Sequence, residues 1–190
     1  MLFTTTIALL TILDPKPVVF SSGLYGTIPK IAYSNLFQSM GNVSVVNSEF
    51  PLNKRKFELI CDKYEQDKMP LIAHSSIDPD ILKSHRLEKA LLFDPATLPL
   101  LSTSGLIPTT VHPRAPVNIV LTKFYASFVK TAFQPNIENA NTIQLDYGGH
   151  SDILDGMWPW VAEKMGIQSD PQNIEAYRAF VKLYLQEWLC

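Results

Sequence analysis

Apolar residues in this chain fall into two alternating patterns. Short continuous runs occur at Lys16–Phe20, Val43–Val46, Met69–Ile72, Lys89–Phe93, Val117–Leu121 and Thr142–Leu145. Each is too brief for a helix and reads as a strand, those at Met69–Ile72 and Lys89–Phe93 as buried ones. Between them lie stretches of helical spacing. Ile31, Tyr33, Leu36, Phe37 and Met40 mark one helix, closed by Gly41. Asn53 is placed to cap a second, running to about Lys68, with Phe57, Ile60, Cys61 and Tyr64 inward. Ile81–Leu87 reads as a weaker helix. Asp155 is placed to cap another, carrying Met157, Trp158, Trp160, Val161 and Met165 and ending at Gly166. Ser169-Asp170-Pro171 opens the last, with Ile174, Tyr177, Phe180, Val181, Tyr184, Leu185 and Trp188 in a core-facing stripe. Strand and helix alternate nearly throughout, which predicts an α/β fold: a mostly parallel central sheet flanked by helices on both faces.

Two stretches fit neither pattern. Met1–Leu13 is apolar and threonine-rich, without a basic leader or a small-residue cleavage site. It is too short to span a bilayer and is expected as a strand, with an uncleaved targeting remnant as the second choice. Residues 99–116 hold four prolines with several Ser and Thr and are expected as a loop or cap segment. Leu98, Leu100, Leu101, Leu106 and Ile107 make it apolar for a loop, as packing or as a substrate wall.

Composition changes this picture little. A chain of 190 residues fits one domain spanning 1–190, and 46% hydrophobic with 18% charged residues fits a globular protein. A net charge of −2 gives no electrostatic reason to expect a nucleic acid as partner. Two cysteines, Cys61 and Cys190, make neither a metal site nor a disulfide framework. His74, His85, His112 and His150 are not spaced as metal ligands, and no phosphate-cradling glycine motif occurs, so no metal or cofactor is expected. Soluble and membrane-peripheral locations stay open, as does association with a protein complex.

Candidate chemistry comes from the strand ends. In a parallel sheet, functional loops gather where the strands' carboxyl ends emerge. Four such ends carry Gly23-Leu24, Ser75, Asp94 and His150. Met69 to Asp78 has the layout of a nucleophile elbow, a strand delivering a serine into a tight turn. The usual Gly-x-Ser-x-Gly has lost both glycines, to Ala73 and Ile77. Taken singly, each residue has a plain structural reading: a polar loop at Ser75, an Asx-type turn at Asp94-Pro95, a turn residue at His150. Their order along the chain, Ser then Asp then His, is that of the α/β-hydrolases.

The chain resembles that superfamily, and its chlorophyllase-like and lipase-like esterases in particular, over most of its length from about Lys16. Ser22-Gly23-Leu24-Tyr25-Gly26 resembles the oxyanion-loop His-Gly-x-x-Gly, with serine for histidine. Ala73-His74-Ser75-Ser76 is similar to the Gly-His-Ser elbow, His74 standing at its variable position. Leu92-Phe93-Asp94-Pro95 resembles the Asp-Pro after the next strand, and the run from Asp146 to Asp155 resembles Asp-Tyr-Gly-His-x-Asp-x-Leu-Asp with one added glycine. The resemblance implies an N-terminally shortened hydrolase fold and a serine esterase of an apolar ester, lipid or chlorophyll-type. It implies Ser75 as nucleophile, His150 as base, Asp94 as orienting acid, and the Leu24 and Ser76 amides as oxyanion donors. The acid of most members follows the strand matching Val117–Leu121, but Thr122–Gln134 holds no carboxylate. Asp146 and Asp152 compete for the acid's role, and Asp152 is expected to cap the following helix instead. The alternative is a catalytically decayed relative kept as a binding or structural subunit, which the substitutions at Ala73 and Ile77 favour.

Overall fold

The computed structural model describes residues 17–23, 28–47, 52–97, 110–125 and 136–190. Met1–Leu13, Leu24 and most of the 99–116 segment lie outside these residues.

Six strands form one sheet: β1 Pro17–Ser21, β2 Ser44–Asn47, β3 Met69–Ser76, β4 Leu87–Ala96, β5 Val117–Leu121 and β6 Asn141–Gln144. Their spatial order is β2-β1-β3-β4-β5-β6, and every neighbouring pair is parallel. All eight residues of β3 are buried. Helices cover both faces of a parallel sheet, so central strands read as continuous apolar runs rather than alternating ones. Pro70 stands in this central strand although it has no amide to give. The register there passes from Met69–Leu87 to Leu71–Ala90, so Glu88 and Lys89 of β4 together oppose Pro70. A bulge of this kind is where a sheet tolerates proline.

Four α-helices are described: α1 Ser34–Ser39, α2 Lys54–Lys63, α3 Trp158–Lys164 and α4 Ile174–Leu189. One face of the sheet packs Val19, Leu71, Ala73, Leu92 and Ile119 against Phe57 and Cys61 of α2 and against Ile77, Ile81 and Leu82. The other packs Val18, Phe20, Ile72, Leu91, Phe93 and Val120 against α1 and the 3₁₀ turn Lys30–Tyr33 before it, and against Tyr177, Val181 and Leu185 of α4.

Several boundaries differ from the sequence reading. Asn53 does cap α2, accepting from the Lys56 amide at 2.9 Å, but the helix stops at Lys63 rather than Lys68. Glu65 takes a left-handed φ of 53° and the Gln66 amide returns to the Cys61 carbonyl at 3.0 Å, a helix ending usually built on glycine. Ile81–Leu87 is not a helix. A 3₁₀ turn spans Pro79–Lys83, Ser84 is extended with its hydroxyl bonded to Glu58, and Leu87 already belongs to β4. Asp155 does not cap α3. Its carboxylate accepts from the Asn35 amide at 2.7 Å and side chain at 2.6 Å, in the first turn of α1. The stripe expected on α3 is split: Met157, Trp160 and Met165 are exposed, Trp158 packs half-buried against the core, and Ala162 is the residue buried.

Candidate active site

The strand order reverses between β1 and β3, and the carboxyl ends at such a switch point are where open parallel sheets bind ligands. Gly23 follows β1 and Ser75 lies near the end of β3. A Cβ on Gly23 would stand 3.3 Å from His74 Nδ1 and 3.4 Å from Ser75 Cβ, so glycine allows the two strand ends to close on each other.

Ser75 is clamped rather than released at its strand end. Pairing passes from His74–Phe93 to Ser76–Ala96, so the single Ser75 faces two residues of β4, Asp94 and Pro95. Pro95 again marks a bulge, and bulges re-aim side chains. Both opposed residues have left-handed backbones, with φ of 63° at Ser75 and 44° at Asp94. That conformation costs an L-residue about 1–2 kcal/mol, and persists where the surroundings fix it. Here they do: the Ile77 amide donates to the Ala96 carbonyl at 3.0 Å, continuing the pairing beyond the strained residue. The expected sharp strand-to-helix turn is therefore replaced by a kink within paired strands, followed by a 3₁₀ turn instead of an α-helix. Ile77 does not push the turn open. It is 2% exposed and packs in the core beneath β3.

The turn after β5 holds the bulge from the other side. Asp94 accepts from the Thr122 amide and the Thr122 hydroxyl, each at 2.7 Å, and the Tyr125 hydroxyl donates to the Pro95 carbonyl at 2.5 Å. Burial, with the Asp94 charge adding to it, pushes the Tyr125 phenol well above its ordinary range and keeps it a donor. The Oδ2 that accepts from the Thr122 hydroxyl also meets His150 Nδ1, at 3.2 Å. An ionised carboxylate only accepts, so this hydrogen bond places a proton on Nδ1. Asp94 and His150 are 1% and 4% exposed.

His150 sits on a loop compressed by its neighbours. Gly148 has a φ of 80° with Tyr177 against it, and a Cβ on Gly149 would come within 2.5 Å of the Gln168 carbonyl oxygen and 2.6 Å of Ser169 Cα. Glycine at 149 is thus a packing requirement. Asp152 ties this loop to the 168–170 segment, accepting from the Gly149 amide at 2.6 Å, the Asp170 amide at 2.9 Å and the Ser169 hydroxyl. It does not cap a helix as the sequence suggested; its carboxylate accepts from these three donors instead.

His74, read from sequence as a variable position, is a structural centre of the site. It is 1% exposed, its Nδ1 lies 2.9 Å from the Tyr33 hydroxyl and its Nε2 lies 3.0 Å from the His150 carbonyl oxygen. Its ring stacks on that of His150, centroids 4.6 Å apart. Burial first, and the neighbouring His150 second, hold it well below the ordinary histidine range. Tyr33, Thr122 and Tyr125 were likewise missed. One signal for His74 was available: the two-residue period of β3 puts it on the same face as Ile72, hence inside.

Leu24 lies outside the described residues, and Ser76 is the last residue of β3. Among the described residues no hydrogen bond joins Ser75 to His150. The hydroxyls of Ser22 and Ser151, next to Gly23 and His150, are buried without a hydrogen-bond partner. A cleft of about 620 Å³ lies elsewhere, lined by Asn35, Gln38, Asp155, Glu175, Arg178 and Lys182 and by none of Ser75, Asp94 and His150. Among the described residues no group of three or more His, Cys, Asp or Glu is placed to hold a metal ion, and no helix is long and apolar enough to cross a membrane.

Comparison with known proteins agrees with the architecture. The chain is similar to the crystal structure of the esterase domain of a Rhodothermus marinus protein, with a TM-score of 0.51 over 94% of this chain and 88% of that one. The two share 11% sequence identity, so the likeness is one of fold. No family model matches the sequence. No curated protein matches it either.

Proposed function

We propose that the protein is a serine hydrolase of carboxylic esters, with Ser75 as nucleophile, His150 as general base and acid, and Asp94 as the residue that orients His150. The observation that carries this reading is the Asp94–His150 hydrogen bond at 3.2 Å, on the bulge that faces Ser75. The esterase-domain fold of the Rhodothermus marinus neighbour agrees with it. In the reaction Ser75 Oγ attacks the ester carbonyl while its proton passes to His150 Nε2. The tetrahedral oxyanion is held by the Ser76 and Leu24 amides and collapses, and the leaving alkoxide takes the proton from His150. Water, deprotonated in turn by His150, attacks the acyl carbonyl, and His150 returns that proton to Ser75 Oγ as the acid leaves. Serine–histidine contacts commonly tighten only with substrate bound. The apolar stretch Leu98–Ile107 suits a hydrophobic ester, a lipid or a chlorophyll-type phytyl ester.

One observation favours the second reading, a non-catalytic subunit of this fold. The chain stays paired with β4 past Ser75, and no α-helix begins there to direct amides at an oxyanion. Labelling by a fluorophosphonate probe separates the two, since it needs an activated serine and no known substrate. Labelling of the native protein, lost in Ser75→Ala, is the expected result. Equal behaviour of the two proteins leaves only the subunit reading.

A further inference from the structure

We infer that Tyr33 and His74 are positioning residues, a fixed hydrogen-bond chain that ties the loop after β1 to the main chain of His150. The inference rests on the hydrolase reading and deepens it. The direction of each bond follows from what its atoms can do. The His150 carbonyl oxygen only accepts, so His74 Nε2, at 3.0 Å, carries a proton. His74 is neutral in its buried position, so Nδ1 is a lone pair and the Tyr33 hydroxyl, at 2.9 Å, donates to it. With its proton so committed, the Tyr33 oxygen is an acceptor, and the Gly23 amide donates to it at 2.9 Å.

The chain therefore runs one way, from Gly23 through Tyr33 and His74 to His150. It joins three points the mechanism needs at fixed separation: Gly23 after β1, the β3 end that carries Ser75, and the loop that carries His150. Ring stacking at 4.6 Å adds a second constraint, covering one face of the His150 imidazole. Phe20 holds Tyr33 edge-on at 4.8 Å, so the phenol is set from its other side as well. Neither residue is assigned a contact with substrate. Their effect passes through the placement of His150 and of Gly23.

The test compares wild type, Tyr33→Phe, His74→Gln and His74→Leu by thermal melting, fluorophosphonate labelling and hydrolysis of a p-nitrophenyl ester. Tyr33→Phe keeps the ring and loses the bond, and His74→Gln keeps an amide N–H near the reach of Nε2. Misplacing a base by a fraction of an ångström lowers turnover more than binding, so Tyr33→Phe and His74→Leu are expected to lose about tenfold or more in kcat with KM within about twofold. His74→Gln is expected to recover at least about threefold over His74→Leu. A labelled wild type matched by folded Tyr33→Phe, or equal Gln and Leu variants, overturns the inference and leaves the hydrolase reading standing. A wild type that takes no label sinks that reading, and this inference with it. Should the variants not fold, nitrogen NMR of wild-type histidines decides: His74 protonated on Nε2 alone supports the chain, and protonation on Nδ1 overturns it.

Discussion

Thr122 gives Asp94 both its amide and its hydroxyl, each at 2.7 Å, across 28 residues of chain. The end of β5 thus supplies donors to a carboxylate carried by β4. In most α/β-hydrolases, to which the sequence bears resemblance, the corresponding strand end is expected to supply the carboxylate itself. Replacing Thr122 by Val keeps the shape and the amide and removes one charge-assisted bond. A loss of about 1.5–3 kcal/mol in unfolding free energy is expected, read by urea titration.

Asp94 and Asp152 both lie near His150, and their amide variants are expected to fail differently. Asp94→Asn leaves His150 without an acceptor that fixes its tautomer, so esterase turnover should fall about 10²–10⁴-fold in a folded protein. Asp152→Asn puts an amide where three donors converge and should instead lower the melting temperature. Near-native turnover in Asp94→Asn, with loss in a stable Asp152→Asn, reverses the assignment.

Ile77 stands where the elbow pattern the sequence resembles has glycine, and the sequence alone suggests that Ile77→Gly would raise the activity of a weak enzyme at a modest cost in stability. Its place in the core changes that expectation. Truncating a fully buried isoleucine costs about 2–5 kcal/mol, and glycine adds backbone entropy to the loss. Ile77→Gly should fail to accumulate as a folded protein, while Ile77→Val melts within a few degrees of wild type. A stable Ile77→Gly protein would show that the side chain is not packed as described.

Acid should weaken the fold through His74. Its folded-state affinity for protons is depressed below the unfolded value of 6.5, so the native state binds fewer protons than the unfolded one. The stability from this residue is complete above that pH and is lost as pH falls beneath it, at up to about 1.4 kcal/mol per unit. The groups facing it are Tyr33 and His150, with Asp94 behind His150. Urea titrations between pH 7 and pH 5 should show this slope, and His74→Gln should flatten it.

Much of the fold was legible because a parallel sheet buried on both faces writes its strands as unbroken apolar runs. The strands β1 to β5 fall where such runs occur, displaced by a few residues at their ends, whereas β6 is a mostly exposed edge strand with Ile143 as its one apolar residue. The helices were less legible where capping is tertiary. Asp155 has the position of a cap for α3 and serves the first turn of α1, and Glu65 ends α2 in a conformation that composition does not announce. At the candidate site, Asp94 and His150 could be paired from their order and strand ends. The bulge could not, since it depends on the register between two strands, although Pro95 is its one local trace. Tyr33, Thr122 and Tyr125 carry no motif. They matter through bonds that only the packed sheet creates.

The kink at Ser75 has a dynamic consequence. A strained residue at a free strand end can relax by fraying, but this one has Ala73 and His74 paired with Leu92 and Phe93 before it, and Ser76 and Ile77 joined to Ala96 after it. Its amide neighbourhood can open to solvent only when the middle of the sheet opens. Hydrogen exchange there is then governed by the rarest fluctuations of the molecule, near the free energy of global unfolding. The hydroxyl is held in place by the least mobile part of the chain, so any adjustment to a ligand falls to the loops around it.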